Sequence, residues 1–254
     1  MALLELSDVS KAFGRVVVAD HLSLSIDAGT ALGIVGPNGA GKTSLLNLIT
    51  GNTSPDTGRI ALDGHDITNL ATHRRARLGI ARTHQIPRPF GGISVLENVM
   101  VGAQQAGSSR GDGRPVLEAC VEALRITGLL NRANILASAL SLLDRKRLEL
   151  ARALATRPRL MLLDEIAGGL TEPEVEELIA TILALRQSGV TIIWIEHLVQ
   201  ALLSSVDRLM AMSDGRKLIE GEPHAVMASR EVQQVYLGLE MTIQEIEPAK
   251  SVSA

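Results

Sequence analysis

A glycine-rich loop in this sequence reads Gly36-Pro37-Asn38-Gly39-Ala40-Gly41-Lys42-Thr43. It fits the phosphate-loop pattern G-x-x-x-x-G-K-[ST] at every fixed position. An apolar run typical of a buried strand precedes it at 31–35, and the start of a helix follows at 43–50. In that context the glycines let backbone N–H groups turn toward phosphate oxygens. The loop therefore predicts a bound nucleoside triphosphate.

The last two residues of the loop predict where charge is placed. Lys42 is expected to set its ammonium on the outer phosphates, and Thr43 its hydroxyl on Mg²⁺. The helix N-terminus adds a partial positive charge of about half a unit. A glycine-rich turn with an incidental lysine is the alternative, and the strand and helix on either side argue against it.

Composition limits the possible partners. Hydrophobic residues make up 46% of the 254 residues, but aromatic residues only 2%, so the core should be aliphatic. The chain lacks the aromatic platforms that stack on single-stranded nucleic acid. Its net charge of −3 is unlike the basic excess of proteins that bind duplexes. We therefore expect no nucleic-acid partner.

Membrane insertion and disulfide bonds are also not expected. Cys120 is the only cysteine, so no internal disulfide can form, and helical spacing predicts that it is a small core residue. The N-terminus meets a charge too early for a signal peptide, and no apolar run approaches the roughly 20 residues that cross a bilayer. Any membrane role should come through partners.

Two adjacent carboxylates follow a second apolar run. The stretch 160–165 is typical of a strand in a parallel sheet that is covered on both faces, and its apolar residues end in Asp164 and Glu165. Such a pair is unfavourable at a strand end unless a cation or a substrate uses it. We expect Asp164 to hold Mg²⁺, directly or through water, and Glu165 to polarise the water that attacks the γ-phosphate. A solvated strand end is the alternative.

Three further positions are interpreted in the same way. His197 ends a predicted buried strand at 191–197, and because ligands collect at the carboxyl ends of parallel strands, it is predicted to contact the γ-phosphate rather than to be a surface histidine. Phe13 could stack on an adenine ring or be a core or strand-edge residue. The basic run at 73–77 is expected to be the solvated face of a helix.

The pattern of segments predicts an α/β fold with an inserted helical part. Alternating residues at 3–9 and 22–26 indicate antiparallel strands, and helical periodicity runs from 95 to about 158. We expect one domain at 1–240, in which 1–87 and 159–240 form the catalytic core with an antiparallel β subdomain and 88–158 form an α-helical subdomain. The core should be a parallel sheet that carries the phosphate loop and so resembles the core of RecA-like P-loop NTPases, and 241–254 should be a flexible tail.

The order of these motifs over about residues 3–238 resembles that of an ATP-binding cassette (ABC) ATPase. The matching positions are Phe13 for the adenine-stacking loop, Gly36–Thr43 for Walker A, Gln85 for the Q-loop, Asp164 and Glu165 for Walker B, Ala167–Thr171 for the D-loop and His197 for the switch histidine. The resemblance implies ATP and Mg²⁺ as cofactors. It also implies that Gln85 contributes both to catalysis and to the Mg²⁺ site.

A narrower resemblance concerns residues 82–90 and the closing Tyr236-Leu237-Gly238. Both look like ATPase subunits of branched-chain amino-acid uptake systems and their urea or amide relatives. That subgroup implies a second ATPase subunit, two membrane permease subunits and, indirectly, a solute-binding protein. It places the chain peripherally on the cytoplasmic face of the inner membrane, where ATP hydrolysis would drive import.

One motif departs from the family. The signature Leu-Ser-Gly-Gly-Gln, often Leu-Ser-Tyr-Gly-Asp in this subgroup, is present as Leu140-Ser141-Leu142-Leu143-Asp144. Ser141 is retained and is implied to reach the partner's ATP. Leu143 replaces a glycine and is expected to obstruct that approach, so replacing it with glycine should raise turnover. We therefore expect a heterodimer with one strong and one weak site.

Other functions are also compatible with the phosphate loop. The first is a nucleotide-gated subunit whose hydrolysis is impaired by the altered signature. Another is a soluble ABC protein of DNA repair or translation, although the tandem cassettes, coiled coil or basic extensions usual there are missing. A small P-loop kinase would leave Gln85 and His197 unexplained.

Overall fold

The structure is a computed structural model that describes residues 2–83, 85–107 and 116–235. Within these ranges the strands are β1 (Ala2–Phe13), β2 (Val16–Asp27), β3 (Ala31–Val35), β4 (Thr57–Leu62), β5 (His65–Asp66), β6 (Ile80–Arg82), β7 (Leu160–Asp164), β8 (Thr191–Ile195), β9 (Arg208–Ser213) and β10 (Arg216–Gly221). The α-helices are α1 (Lys42–Thr50), α2 (Thr72–Leu78), α3 (Val95–Gly107), α4 (Val116–Ile126), α5 (Leu142–Ala155), α6 (Glu172–Gln187), α7 (Val199–Leu203) and α8 (Pro223–Met227). His84, the Tyr236-Leu237-Gly238 segment and the expected tail at 241–254 lie outside the described residues.

A six-stranded sheet forms the centre of the molecule, with the strand order β10-β9-β3-β8-β7-β6. Every neighbouring pair from β6 to β9 is parallel, and only β10 runs antiparallel, at one edge. Each residue of β3, β7 and β8 is buried, as their continuous apolar sequences predict. The carboxyl ends of β3, β6, β7 and β8 therefore meet at one edge of the sheet, and the α/β fold prediction is confirmed.

The antiparallel lead-in is also confirmed, as a second sheet with the strand order β2-β1-β4-β5. β1 and β2 form a hairpin in which Phe13 pairs with Val16 across a turn that contains Gly14. The apolar residues of this sheet, among them Leu4 and Leu6, share one buried cluster with α1 and with one face of the central sheet. The hairpin is thereby fixed against the phosphate-loop side of the core.

The predicted helical part consists of α3, α4 and α5, which have a hydrophobic cluster of their own. Val95, Val99, Leu124 and Leu148 are fully buried there. Cys120 is also fully buried in this cluster, which confirms it as a small core residue. Within the part of the chain that the structure describes, no helix combines the length and apolar character needed to span a membrane.

The basic run at 73–77 forms α2 as expected, but the prediction of a solvated face is wrong for Arg75, whose exposure is only 1%. Its guanidinium donates to the carbonyl oxygens of Leu48, at 2.6 Å, and Ile49, at 3.0 Å, near the end of α1. It also donates to the carbonyls of Leu70 and Thr68. The last carbonyls of a helix lack intrahelical partners, so a buried arginine can satisfy them.

Candidate nucleotide-binding site

The phosphate loop connects β3 to α1 and requires glycine at two positions. Gly36 and Gly41 have φ angles of 154° and 96°. A Cβ at Gly36 would collide with the carbonyl oxygen of Met212, and a Cβ at Gly41 would collide with that of Val18. The loop thus lies tightly between β9 and β2. Gly41 is also the N-cap of α1 and offers no side chain to the first N–H groups of that helix, which leaves them available to an anion.

Lys42 is only 6% exposed, and its side chain folds back over the loop. Its Nζ donates to the carbonyl oxygens of Gly36, at 2.6 Å, and Pro37, at 3.0 Å. Burial lowers the pKa of Lys42, while the charges of Glu165 and Asp164 act in the opposite direction. The ammonium therefore lies within the electrostatic reach of both carboxylates and beside the loop that would surround a phosphate.

The predicted catalytic residues come together around Glu165, the first residue after β7. Gln85 Nε2 donates to Glu165 Oε2 at 3.0 Å, and His197 Nε2 lies 2.8 Å from Glu165 Oε1. Glu165 has a left-handed φ of 48°, which turns the chain sharply at the strand end. A carboxylate held by an amide on one oxygen and an imidazole on the other can orient a water molecule and accept its proton.

Asp164 ends β7, only 8% exposed, and contacts a residue that sequence reasoning missed. Arg82, the last residue of β6, places its NH2 group 2.6 Å from Asp164 Oδ2. The signal that could have found Arg82 is its position at a strand's carboxyl end, three residues before Gln85.

Oxygen donors suitable for Mg²⁺ are present, but they are few. The hydroxyl-bearing Thr43 lies exposed in the first turn of α1, and Asp164 supplies a carboxylate. Among the described residues, no group of three or more His, Cys, Asp or Glu side chains is placed to hold a metal ion. These donors fit an ion that shares its coordination with phosphate oxygens, because Mg²⁺ is usually bound by one or two protein groups together with a substrate phosphate.

Glu196 is a second residue that sequence reasoning missed, although it directly precedes His197. It is only 3% exposed. Its Oε1 accepts from the backbone N–H of Ala167 at 2.7 Å and from Trp194 Nε1 at 3.3 Å, and its Oε2 accepts from the N–H of His197 at 3.3 Å. Burial is the largest influence on its pKa and raises it, against these hydrogen bonds. Through these hydrogen bonds the carboxylate links the backbone at Ala167, after β7, to the end of β8.

Phe13 lies at the tip of the β1–β2 hairpin with 54% of its surface exposed, so it is not a core residue. Lys11 Nζ lies 5.3 Å from the ring centroid. One face of the ring is thus near a cation, and much of the ring is open to solvent. Its geometry is compatible with stacking on a base.

The signature segment forms the start of α5, with exposed Ser141 as the N-cap, whose Oγ accepts from the N–H of Asp144 at 3.2 Å. The expectation that the Leu143 side chain obstructs a partner is wrong, because Leu143 is only 5% exposed and packs in the core with Leu163. The leucine at the surface is Leu142, which is 42% exposed. Helix phase explains this result, since Leu143 and Leu150 share the buried face of α5.

The comparison with families agrees with this site, since the family model described as ABC transporter matches residues 19–168. A probable ABC transporter ATP-binding protein of Azorhizobium caulinodans is 38% identical over 92% of this chain and 83% of its own length. The branched-chain amino acid transport protein BraF of Pseudomonas aeruginosa is 33% identical over 93% of this chain and 98% of its own length. The lipopolysaccharide export protein LptB of Acidithiobacillus ferridurans is 34% identical, with 93% and 97% covered.

Solved structures agree with the sequence comparisons. The crystal structure of an ATP-binding cassette of an ABC transporter in its ADP conformation is 30% identical and superimposes with a TM-score of 0.83. The match covers 94% of this chain and 99% of that chain. Together with the phosphate loop and the Glu165 cluster, these similarities show that the chain belongs to the ABC transporter family, as one of its ATP-binding and ATP-hydrolysing subunits.

Proposed function

We propose that this chain hydrolyses ATP to drive the import of branched-chain amino acids or related small amides. The observation that carries the catalytic part is the placement of Gln85 and His197 on the two oxygens of Glu165. Import is favoured by the likeness of residues 82–90 to the uptake subgroup and by the similarity to BraF. The LptB relative has nearly the same sequence identity to this chain as BraF. The proposed direction of transport therefore depends on residues 82–90.

In the proposed mechanism Glu165 orients the attacking water and accepts its proton. His197 holds Glu165 on one side through Nε2 and is proposed to contact the γ-phosphate, while Gln85 holds the other side. Lys42 leaves the loop carbonyls for the outer phosphate oxygens, where a cation stabilises the charge that develops as the phosphoryl group transfers. Phe13 stacks on the adenine.

The metal part of the proposal assigns Mg²⁺ to Thr43, Gln85 and Asp164. Bound there, Mg²⁺ supplies positive charge beside the phosphates. Thr43 orients its hydroxyl from the first turn of α1, and Asp164 orients its carboxylate from the end of β7. The glycine-rich loop positions the phosphates from the opposite side.

The proposed partners are those that the family resemblance implies. We propose a peripheral location on the cytoplasmic face of the inner membrane, with two permease subunits, a second ATPase subunit and, indirectly, a solute-binding protein. Ser141 and the first N–H groups of α5 would serve the ATP held by the second subunit. Because exposed Leu142 projects beside Ser141, we propose that this second site is the weaker one and that the partner ATPase is a different chain.

The division of the chain is proposed on the same basis. Residues 1–240 would form one ABC ATPase domain, in which 88–158 is the helical subdomain and 1–87 with 159–240 is the catalytic core. The separate hydrophobic cluster of α3, α4 and α5 supports this division. The helical subdomain and Gln85 would then transmit the nucleotide state to a permease subunit.

The decisive experiment is steady-state ATP hydrolysis by the detergent-solubilised assembly captured on this chain. Glu165→Gln provides the blank, and Glu176→Gln, the same change at an exposed position of α6, is the matched control. Loss of a general base should lower turnover by about a hundredfold or more. Stimulation by branched-chain amino acids or small amides would support the solute class. An intact assembly that binds ATP but turns over no faster than the blank would instead favour the nucleotide-gated alternative.

A further inference from the structure

Arg82 lies between the two elements that would hold Mg²⁺. Its NH2 group is 2.6 Å from Asp164 Oδ2, at the end of β7, and its NH1 group donates to Asn47 Oδ1 at 2.7 Å. Asn47 is on α1, one helical turn after Thr43. The side chains of Arg82 and Asp164 are only 10% and 11% exposed. The guanidinium of Arg82 thus contacts Asp164, one predicted metal ligand, and is anchored to α1, which carries Thr43, another predicted ligand.

Two carboxylates of this region are offset by two cations of the chain itself. Asp164 and Glu165 supply two negative charges, and Arg82 and Lys42 supply two positive charges. Lys42 is held by loop carbonyls, and Arg82 is held by Asp164 and Asn47. A divalent cation that arrived alone would therefore meet carboxylates whose negative charge these two cations offset, whereas a cation that arrived with a triphosphate would be accompanied by the negative charge of the phosphates.

We propose that Arg82 occupies the position of the metal beside Asp164 when no nucleotide is bound, and so makes Mg²⁺ binding depend on the nucleotide. The inference rests on the proposed role of Asp164 as a Mg²⁺ ligand. Arg82 acts through Asp164, and it is a positioning residue rather than a catalytic one. On arrival of the nucleotide with its metal, Arg82 gives up its contact with Asp164 and retains its contact with Asn47.

Arginine suits this role better than lysine would. Its planar guanidinium presents donors in two directions at once, so it can contact Asn47 and Asp164 together, whereas an ammonium on a flexible stem is a single point charge. The Asn47 contact keeps the guanidinium beside Asp164 in both states. The exchange then requires a change in one hydrogen bond and no rearrangement of β6.

The test measures Mn²⁺ binding to the full chain without nucleotide, by electron paramagnetic resonance of the free ion. Arg82→Gln should bind Mn²⁺ at least about tenfold more tightly than the wild type, because a hydrogen bond between charged groups is equivalent to about ten- to a hundredfold in a binding constant. Adding Asp164→Asn to that variant should abolish the gain. Arg59→Gln is the matched control, since Arg59 pairs with Asp66 at an exposed position on β4 and should leave Mn²⁺ binding unchanged.

A second measurement separates this role from a merely structural one. Mg²⁺ without nucleotide should raise the Tm of Arg82→Gln but not that of the wild type. If Arg82 only braces β6 and β7, the variant loses stability that Mg²⁺ does not restore, and its Mn²⁺ affinity equals that of the wild type; this outcome overturns the proposal. If Arg82→Gln does not fold, Asn47→Ala replaces it, because losing the second anchor should also increase Mn²⁺ affinity, and an unchanged affinity counts against the proposal.

Failure of the underlying site would be recognised separately. The Mg²⁺ concentration needed for ATP binding should rise in the single variant Asp164→Asn. If it does not, the proposed Mg²⁺ site is wrong and the inference about Arg82 is overturned with it. If it does, while Arg82→Gln gains no affinity for Mn²⁺, only the role of Arg82 is overturned.

Discussion

The carboxylate of Glu196 accepts a hydrogen bond of 2.7 Å from the backbone N–H of Ala167, two residues beyond Glu165. The same carboxylate contacts the N–H of His197. The Glu196 carboxylate therefore links the backbone after Glu165 to the backbone at His197, in addition to the direct contact between the side chains of Glu165 and His197. Its environment also predicts a dependence of stability on pH.

Glu196→Gln should become more stable relative to the wild type as pH rises. In the unfolded chain this carboxyl titrates near its ordinary pKa of 4.5, and burial raises its pKa in the folded protein. The folded protein therefore binds the proton more tightly, so the stability that Glu196 contributes is fully present below pH 4.5 and is lost as pH rises through the raised pKa. Glutamine does not titrate and does not undergo this loss.

Urea unfolding over a series of pH values checks the prediction. The difference in free energy of unfolding between Glu196→Gln and the wild type should grow in favour of glutamine from about pH 4.5 upward. Glu176→Gln, at an exposed position, should show no such trend. A difference for Glu196→Gln that stays constant with pH would refute the effect.

The two leucines of the signature should respond in opposite ways. Leu143→Gly removes a buried side chain and should lower the free energy of unfolding by about 3–5 kcal/mol, which includes the lower helix propensity of glycine. Leu142→Gly changes an exposed side chain at the first position of α5, so it should reduce stability by about 1 kcal/mol at most. It should raise ATP turnover of the assembled complex, because the approach to Ser141 is opened.

Chemical denaturation and steady-state turnover of both variants provide the check. Leu142→Met, which keeps a similar volume, is the control and should leave turnover near that of the wild type. Equal turnover of Leu142→Gly and the wild type would remove the support for a weak site on the partner's ATP.

Arg75→Met should be strongly destabilising, by about 3 kcal/mol or more. The substitution removes the charged donor to the carbonyls of Leu48 and Ile49, although Leu48 still accepts from the N–H of Gly51 at 3.3 Å. Hydrogen bonds to charged groups contribute about 1.5–3 kcal/mol each without being additive. Arg74→Met, on the exposed side of the same helix, should change stability by no more than about 0.5 kcal/mol. Thermal and urea unfolding compare the two, and similar losses would show that Arg75 does not stabilise the end of α1.

Phe13→Ala should weaken ATP binding by about two- to tenfold, because aromatic pairs contribute about 0.5–1.5 kcal/mol beyond simple burial. Folding stability should hardly change, since the ring is 54% exposed. Isothermal titration on a Glu165→Gln background measures binding without hydrolysis. Phe90→Ala, at the other phenylalanine, is the control, and equal affinities in the two variants would exclude stacking on Phe13.

The sequence predicts most of the central sheet because short, continuous apolar runs between polar segments are typical of buried parallel strands. The bounds of β3 follow from such a run, whereas β7 and β8 begin where predicted but end one and two residues before the predicted ends at 165 and 197. The loop pattern places Lys42 and Thr43 between strand and helix. Parallel strands then bring their carboxyl ends to one edge, which is why Glu165 and His197 could be predicted to lie together.

The direction of a side chain, and its contacts with residues far along the sequence, cannot be predicted from a short stretch of sequence. Arg82 meets Asp164 across 82 positions of sequence, and Arg75 meets Leu48 across 27, so both appear in the sequence as ordinary surface arginines. Whether Leu142 or Leu143 faces the core depends on the residue at which α5 begins. A shift of one residue turns the helix by about 100°, and local sequence alone fixes helix ends less precisely than that.

The contact between Trp194 and Glu196 also makes the intrinsic tryptophan fluorescence of the protein sensitive to this carboxylate. Trp194 is the only tryptophan of the chain; it is fully buried, and its Nε1 donates to the carboxylate that links Ala167 and His197. Its ultraviolet emission therefore originates from a single point behind the hydrolysis site. A change in the charge or position of that carboxylate during turnover should alter the emission, so the site can be followed in real time in the unmodified protein.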